Sequence, residues 1–305
     1  METHTRQPDH AEGAAPFRLP AETRVGKVRL RVADLGRSLE FYRGVLGLHL
    51  ARAGESTAAL SAGDRGPELV ELHERPGARP VPRRGATGLY HLALLVPDRP
   101  ALGSVLERIR RTGWGPLGAS DHAVSEALYT SDPDGNGIEI YRDRPRSTWR
   151  TEGGELHMTT TPLDLRALLA GAAPPAGGIA PGTTMGHVHL HVDDLERTGT
   201  FYRAGLGMDL RVWSYPGALF FAAGGYHHHL GTNIWAGPGA PRASEDDAGM
   251  TDWELVVPTR PDTEAVAASL RAQGFSPTAE PDGAWRVEDP SGIALRVVAE
   301  PSPAE

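Results

Sequence analysis

Short stretches of the chain alternate strictly between apolar and polar residues, then give way to an apolar period of three to four. In "VRLRVADLGRSLEFYRGVLGLHL", Val28, Leu30 and Val32 fall on one face and Arg29 and Arg31 on the other, which is a strand facing two environments. Asp34 follows where a helix N-cap belongs, its carboxylate placed to accept from free backbone N–H groups. Leu35, Leu39, Tyr42 and Val45 recur at helical spacing, and Gly47 supplies the left-handed residue that stops a helix. Several short strand-like runs come next, so the unit reads β-α-β-β-β.

The same unit returns without a gap as "VHLHVDDLERTGTFYRAGLGMDL", an offset of 160 residues between Val28 and Val188. Two further units share the pattern. "LYHLALLV" leads into a helix with Pro100 near its start and Gly113 at its end, and "TDWELVV" leads into one ending at Gly274. Both close with a DP-x-G turn into a strand, "DPDGNGIEIY" and "DPSGIALRVV". The fold class is therefore α+β, with four tandem βαβββ modules at roughly 25–76, 86–143, 184–237 and 249–299. By sequence order they make a first domain, 25–143, and a second, 184–299. A tail at 1–24 and a linker at 144–183 complete the chain; "TPLDLRALLAG" in the linker reads as a short helix and "GAAPPAGGIAPG" as a flexible loop.

Composition narrows the function. Lys and Arg number 31 against 39 Asp and Glu, which argues against nucleic acid as a partner; the clusters Arg83-Arg84 and Arg108, Arg110, Arg111 read as solvated faces. There is no cysteine, so neither disulfides nor thiolate metal sites arise. No apolar run approaches the roughly 20 residues of a membrane span, and the polar tail, with His4 and His10, lacks a signal core. The expectation is a cytoplasmic protein with a disordered N-terminus and no membrane partner.

The tandem modules resemble the vicinal oxygen chelate superfamily of glyoxalase I, bleomycin-resistance proteins and type I extradiol dioxygenases. One stretch is similar to the extradiol signature: His122, five residues, Leu128-Tyr129, two residues, Asp132-Pro133, Asp134, Gly135, three residues, Glu139. It departs only at Ser120, where that family has Gly, Asn, Thr, Ile or Val. "YHLALLV", "GHVHLHV" and "YHHHLGTNIW" extend the likeness to two-domain catechol-2,3-dioxygenases over about residues 24–299. The resemblance implies extradiol cleavage of a catechol with O2 and Fe(II), Mn(II) suiting the same donors, held by two imidazoles and one carboxylate on one face. A homo-oligomer is a family-level expectation.

In this superfamily the ligands come from the first and last strands of paired modules. Repeat alignment offers Lys27, His91, His187 and Asp252 at the first strands, and Glu139 and Arg296 at the last. A guanidinium only donates, so Arg296 is a poor ligand, and Lys27 is scarcely better. The metal set expected is His91, His187 and Glu139, which requires modules two and three to pair and leaves one with four. His189 and His191 share the face of His187, and His189 is the replacement should the repeat mislead. By resemblance His228, among His227, His228 and His229, is the acid–base residue, Tyr129 a hydrogen-bond partner of bound substrate, and His122 a proton donor. Asn233 and Trp235 are candidate pocket residues. Competing readings are a glyoxalase-like lyase or isomerase, and a metal-free protein that sequesters aromatic compounds.

Overall fold

The structure, a computed structural model, describes residues 17–82, 85–172 and 177–301. His4, His10, the Arg83-Arg84 pair and part of the 171–182 loop lie outside the described residues. The chain is ordered earlier than residue 24. Leu19 is buried and its N–H donates to the Gly207 carbonyl at 3.0 Å, while the Phe17 ring covers Gly207. Gly207 has φ +84°, and a Cβ there would lie 2.7 Å from Phe17 Cδ1, so the glycine that ends the module-three helix also admits the aromatic anchor.

The two large sheets do not follow the two sequence halves. One runs Thr278–Ala279, Trp285–Glu288, Ala294–Ala299, Gly249–Val257, Arg24–Val32, Glu68–Glu74, Thr57–Ser61, His49–Ala53, joining modules four and one. The other runs Thr161–Pro162, Gly118–Asp121, Ser125–Ser131, Gly137–Asp143, Gly88–Leu95, Thr184–His191, Leu230–Asn233, Ala218–Ala222, Asp209–Val212, joining modules two and three and taking its edge strand from the linker. The units at 25–143 and 184–299 are thus units of sequence, and each supplies half of both sheets. At each centre the first strands of two modules meet antiparallel: Gly88–Leu95 with Thr184–His191, and Arg24–Val32 with Gly249–Val257.

Both seams bulge at matching places. His189 pairs with His91 and Leu190 with Leu89, which leaves Tyr90 as the extra residue; Arg29 pairs with Asp252 and Leu30 with Met250, which leaves Thr251. Alternation then sorts the side chains. Val188, Leu190 and Val192, like Val28, Leu30 and Val32, are buried under the helices, while His187 and His189, like Lys27 and Arg29, stand on the concave face.

The helices form for the reasons their ends suggest. Asp34, Asp98 and Asp194 each accept a backbone N–H of the first turn, and Thr259 and Asp262 form a capping box. Leu102, Val105, Leu106 and Ile109 of helix Arg99–Thr112 and Val266 and Leu270 of helix Arg260–Ala272 bury their apolar stripes against the sheets. Arg110 and Arg111 pair with Glu107 on the solvated side. The shorter helices widen to π spacing over Glu40–Val45 and Thr200–Gly205, and from there a tyrosine reaches the next module: Tyr42 donates to Asp132 at 3.1 Å and Tyr202 to Asp289 at 2.9 Å. No helix among the described residues is long and apolar enough to cross a membrane.

Candidate metal centre and active site

The concave face of the module two–three sheet holds a cavity of about 270 Å³. His91 comes from strand Gly88–Leu95, His187 from Thr184–His191, and Glu139 from Gly137–Asp143, all three buried. His91 Nε2 lies 3.0 Å and His187 Nε2 3.3 Å from the same Glu139 oxygen, Oε2, and one ligand atom from each residue falls within 4.8 Å of the others. Gly186 makes this approach possible: a Cβ there would sit 1.9 Å from the Tyr141 hydroxyl, so a larger residue would collide beside His187.

The group is in a metal-ready state of charge. Burial alone would raise the Glu139 carboxyl, but the His187 and His91 imidazoles outweigh it and hold the group well below the usual carboxylate range. Burial pushes His187 down to about 4 against the opposing pull of Glu139. At neutral pH the site therefore presents an ionised carboxylate and an imidazole with a free lone pair. His91 Nε2 is buried and makes no hydrogen bond despite its closeness to Glu139. His187 Nε2 bonds the same oxygen at 3.3 Å, so two ring nitrogens converge on one carboxylate and one of them is left unsatisfied, a donor set that fits a divalent cation.

His189 shares the cavity face but is engaged differently: the Asn233 amide donates to its Nε2 at 3.0 Å, and Asn233 Oδ1 lies 2.7 Å from His191 Nδ1. Thus His187, not the alternative His189, shares the group with Glu139 and His91. Asn233 acts on the cavity through His189, while Trp235 lines it directly.

Around the triad, Tyr129 lies directly opposite Glu139 on the neighbouring strand, and its hydroxyl is 2.6 Å from His122 Nε2. His122 Nδ1 donates to the Thr159 carbonyl at 2.7 Å, which leaves its Nε2 facing the Tyr129 hydroxyl. Burial, then Glu139, push the Tyr129 phenol well above 10 and keep it protonated. The turn beyond His122 places Ala123 at φ +67°, left-handed backbone that a non-glycine residue adopts only under local constraint. The three consecutive histidines divide their tasks. His228 lines the cavity with its ring 4.1 Å from that of His187, and burial pushes its pKa well down. His227 is fully buried behind it, and His229 accepts from the Ala223 N–H and stacks on Tyr226.

Sequence reasoning missed several wall residues. Tyr90 reaches the cavity only through its bulge, where alternation would turn it away from His91. Tyr215 and Phe220 also line the cavity, and linker residues Met158, Thr159 and Thr160 form a strap along its wall, with Thr160 Oγ1 3.0 Å from the Tyr215 hydroxyl. Asp143, which binds His227, was missed as well, although its place four residues after Glu139, and so on the same strand face, was a signal.

Comparison with known proteins agrees with this architecture. The chain is 44% identical over 282 residues to a catechol-2,3-dioxygenase of Bacillus subtilis (strain 168), covering 91% of this chain and 98% of the relative. In fold it is similar to the crystal structure of a putative dioxygenase from Bacillus subtilis (TM-score 0.64, 14% identity, covering 94% of this chain and 87% of that one). It is also similar to glyoxalase I from Zea mays (TM-score 0.55, 19% identity, covering 90% and 92%). Residues 24–140 and 184–297 both match one family, and the chain belongs to the Glyoxalase/Bleomycin resistance protein/Dioxygenase superfamily.

Proposed function

We propose that the protein is an extradiol catechol dioxygenase, using O2 to open the ring beside the two hydroxyls of a catechol. The observation that carries this reading is the combination of a buried His91–Glu139–His187 group with His228 and the His122–Tyr129 pair around one small cavity. It is supported by the name of the Bacillus subtilis relative, aligned over nearly its whole length. His91, His187 and Glu139 would hold Fe(II), with Mn(II) suiting the same two-nitrogen, one-oxygen set. When bound, the metal would supply a redox-active Lewis acid for catechol and O2.

The chain's own residues do the rest. A catechol hydroxyl must lose a proton as it binds, and the buried, neutral His228 is a base facing the cavity. The Tyr129 hydroxyl, kept protonated, donates to substrate oxygen, and His122, hydrogen-bonded to it, is the proton donor on the same side. Phe220, Tyr215 and Trp235 offer ring faces to an aromatic substrate and, with the Met158–Thr160 strap, keep water out. Among the described residues lining the cavity none is Lys or Arg, and Glu139 is the only carboxylate. The fitting substrate is therefore a catechol without an acidic substituent. A lyase would leave the His122–Tyr129 pair without a task, and a sequestering protein would have no use for three converging ligands.

Anaerobic reconstitution with Fe(II), then a panel of neutral and carboxylated catechols with O2 uptake and absorbance recorded together, tests the proposal. One O2 consumed per neutral catechol with a yellow ring-fission product is expected. Stoichiometric metal without O2 uptake would overturn it.

A further inference from the structure

Behind His228 runs a string of hydrogen bonds that ends on one carboxylate. His228 Nδ1 is 2.7 Å from His227 Nδ1, and His227 Nε2 is 2.9 Å from Asp143 Oδ1. The Tyr226 hydroxyl donates to the same Asp143 oxygen at 3.1 Å, and the Tyr141 hydroxyl lies 2.8 Å from that of Tyr226. His227 is fully buried, whereas the Asp143 side chain is 28% exposed at the far end.

Donor counting gives the string one direction. An ionised carboxylate only accepts, so His227 must donate from Nε2. With that one proton on His227 its lone pair falls on Nδ1, and His228 donates to it from its own Nδ1. The lone pair of His228 is left on Nε2, the nitrogen that remains for the cavity. The tyrosines obey the same polarity: Tyr226 donates to Asp143, so Tyr141 donates to Tyr226. Every proton in the string points towards Asp143. We infer that Asp143 and His227 are positioning residues that lock His228 in the tautomer whose Nε2 accepts a proton from substrate. The inference rests on the proposed role of His228. It assigns Asp143 a part in the reaction although its carboxylate stands behind two imidazoles and away from substrate, and it requires no change in the net protonation of the string.

Asp143→Asn tests it. An amide nitrogen can donate to His227 Nε2, which reverses the string and puts a proton on His228 Nε2, where it blocks the base. In the iron-loaded full-length variant kcat for a neutral catechol is expected to fall by about 100-fold or more, the scale of a lost general base. KM is expected to move by less than about 3-fold with iron content unchanged. Tyr226→Phe removes the other bond to the same oxygen without reversing the string and should keep kcat within about 3-fold. Nitrogen-15 NMR of histidine-labelled protein loaded with diamagnetic zinc reads the tautomer directly and needs no variant: His228 should carry its proton on Nδ1, moving to Nε2 in Asp143→Asn. A proton on His228 Nε2 in the unmodified protein, or an unchanged kcat in Asp143→Asn, would overturn the inference. Failure of the unmodified protein to consume O2 would strike the dioxygenase reading alone, because the tautomer measurement still decides the string.

Discussion

Lys27 and His187 hold the same place in the repeat, as do Asp252 and His91, and Arg296 and Glu139, yet the two seams they occupy have opposite chemistry. In the module two–three seam the buried carboxylate of Glu139 faces two imidazoles, His91 and His187. In the module one–four seam Lys27 binds Glu68 at 2.8 Å and Glu71 at 2.6 Å, Arg29 binds Asp252 at 2.6 Å and Glu254 at 2.7 Å, and Arg296 binds Glu254 at 2.8 Å and Glu280 at 2.6 Å. Where Tyr129 stands in one seam, Arg286 stands in the other, 3.6 Å from Asp252. The backbones match down to their bulges, so the scaffold does not decide whether a seam can take a metal. Built-in cations neutralise one set of carboxylates, and the other seam leaves that task to a ligand.

The sharpest break of this contrast is Glu139→Ala. It should remove stoichiometric metal and lower ring-cleaving activity by at least about 10³-fold, the scale seen when a member of a catalytic unit is deleted. Arg296→Ala, at the matching position, should leave metal content unchanged; metal analysis beside O2 uptake checks both.

The seams should also lose stability in different pH ranges. His187 titrates near 4 in the fold against about 6.5 when exposed, so the folded state binds fewer protons. Its contribution is whole above about pH 6.5 and is lost as pH falls towards 4, up to about 3 kcal/mol in the metal-free protein. His229, pushed by burial to about 3, acts in the same sense. Glu68 and Glu71 are lowered in the other seam, their Arg52 and Lys27 partners outweighing burial, so that seam keeps its contribution above about pH 4.5 and loses it only below. Denaturant unfolding of metal-free protein at stepped pH should show the histidine loss first; a flat profile between pH 6.5 and 4.5 would contradict it.

Lys27→Met should cost about 2–3 kcal/mol, less than a fully buried pair because both partners retain some exposure, and leave kcat untouched. Tyr129→Phe is the converse. It should lower kcat by about 10- to 100-fold while stability changes by less than about 1 kcal/mol, which steady-state kinetics beside a melting curve would separate.

The modules, caps and helix stops were legible because each is a local pattern: Asp34, Asp194 and Gly47 act on their own neighbours. The crossed pairing of modules could be read only from chemistry, since His91, Glu139 and His187 make sense together and Lys27 and Arg296 do not join them. Tyr90 was hidden because a bulge inverts the alternation that sequence reading relies on. The Met158–Thr160 strap was hidden because nothing local to the linker records where strand Gly118–Asp121 will receive it. The packing of Phe17 was missed because its partner, Gly207, is 190 residues away in the sequence.

Crossed pairing also sets an order of events during synthesis. Strand Arg24–Val32 leaves the ribosome long before Gly249–Val257; Arg29 and Glu254 are 225 residues apart. At about 5–20 residues per second that is a wait of roughly 10–45 s with one sheet edge open to any passing strand. The middle seam can close first, and the outer one fastens last, like a clasp. The side chains on the waiting edge are Lys27, Arg29 and Arg31, the kind of charge that keeps an open strand from pairing with the wrong chain. The residues that make the outer seam unfit for a metal are thus also suited to guard the nascent chain against aggregation.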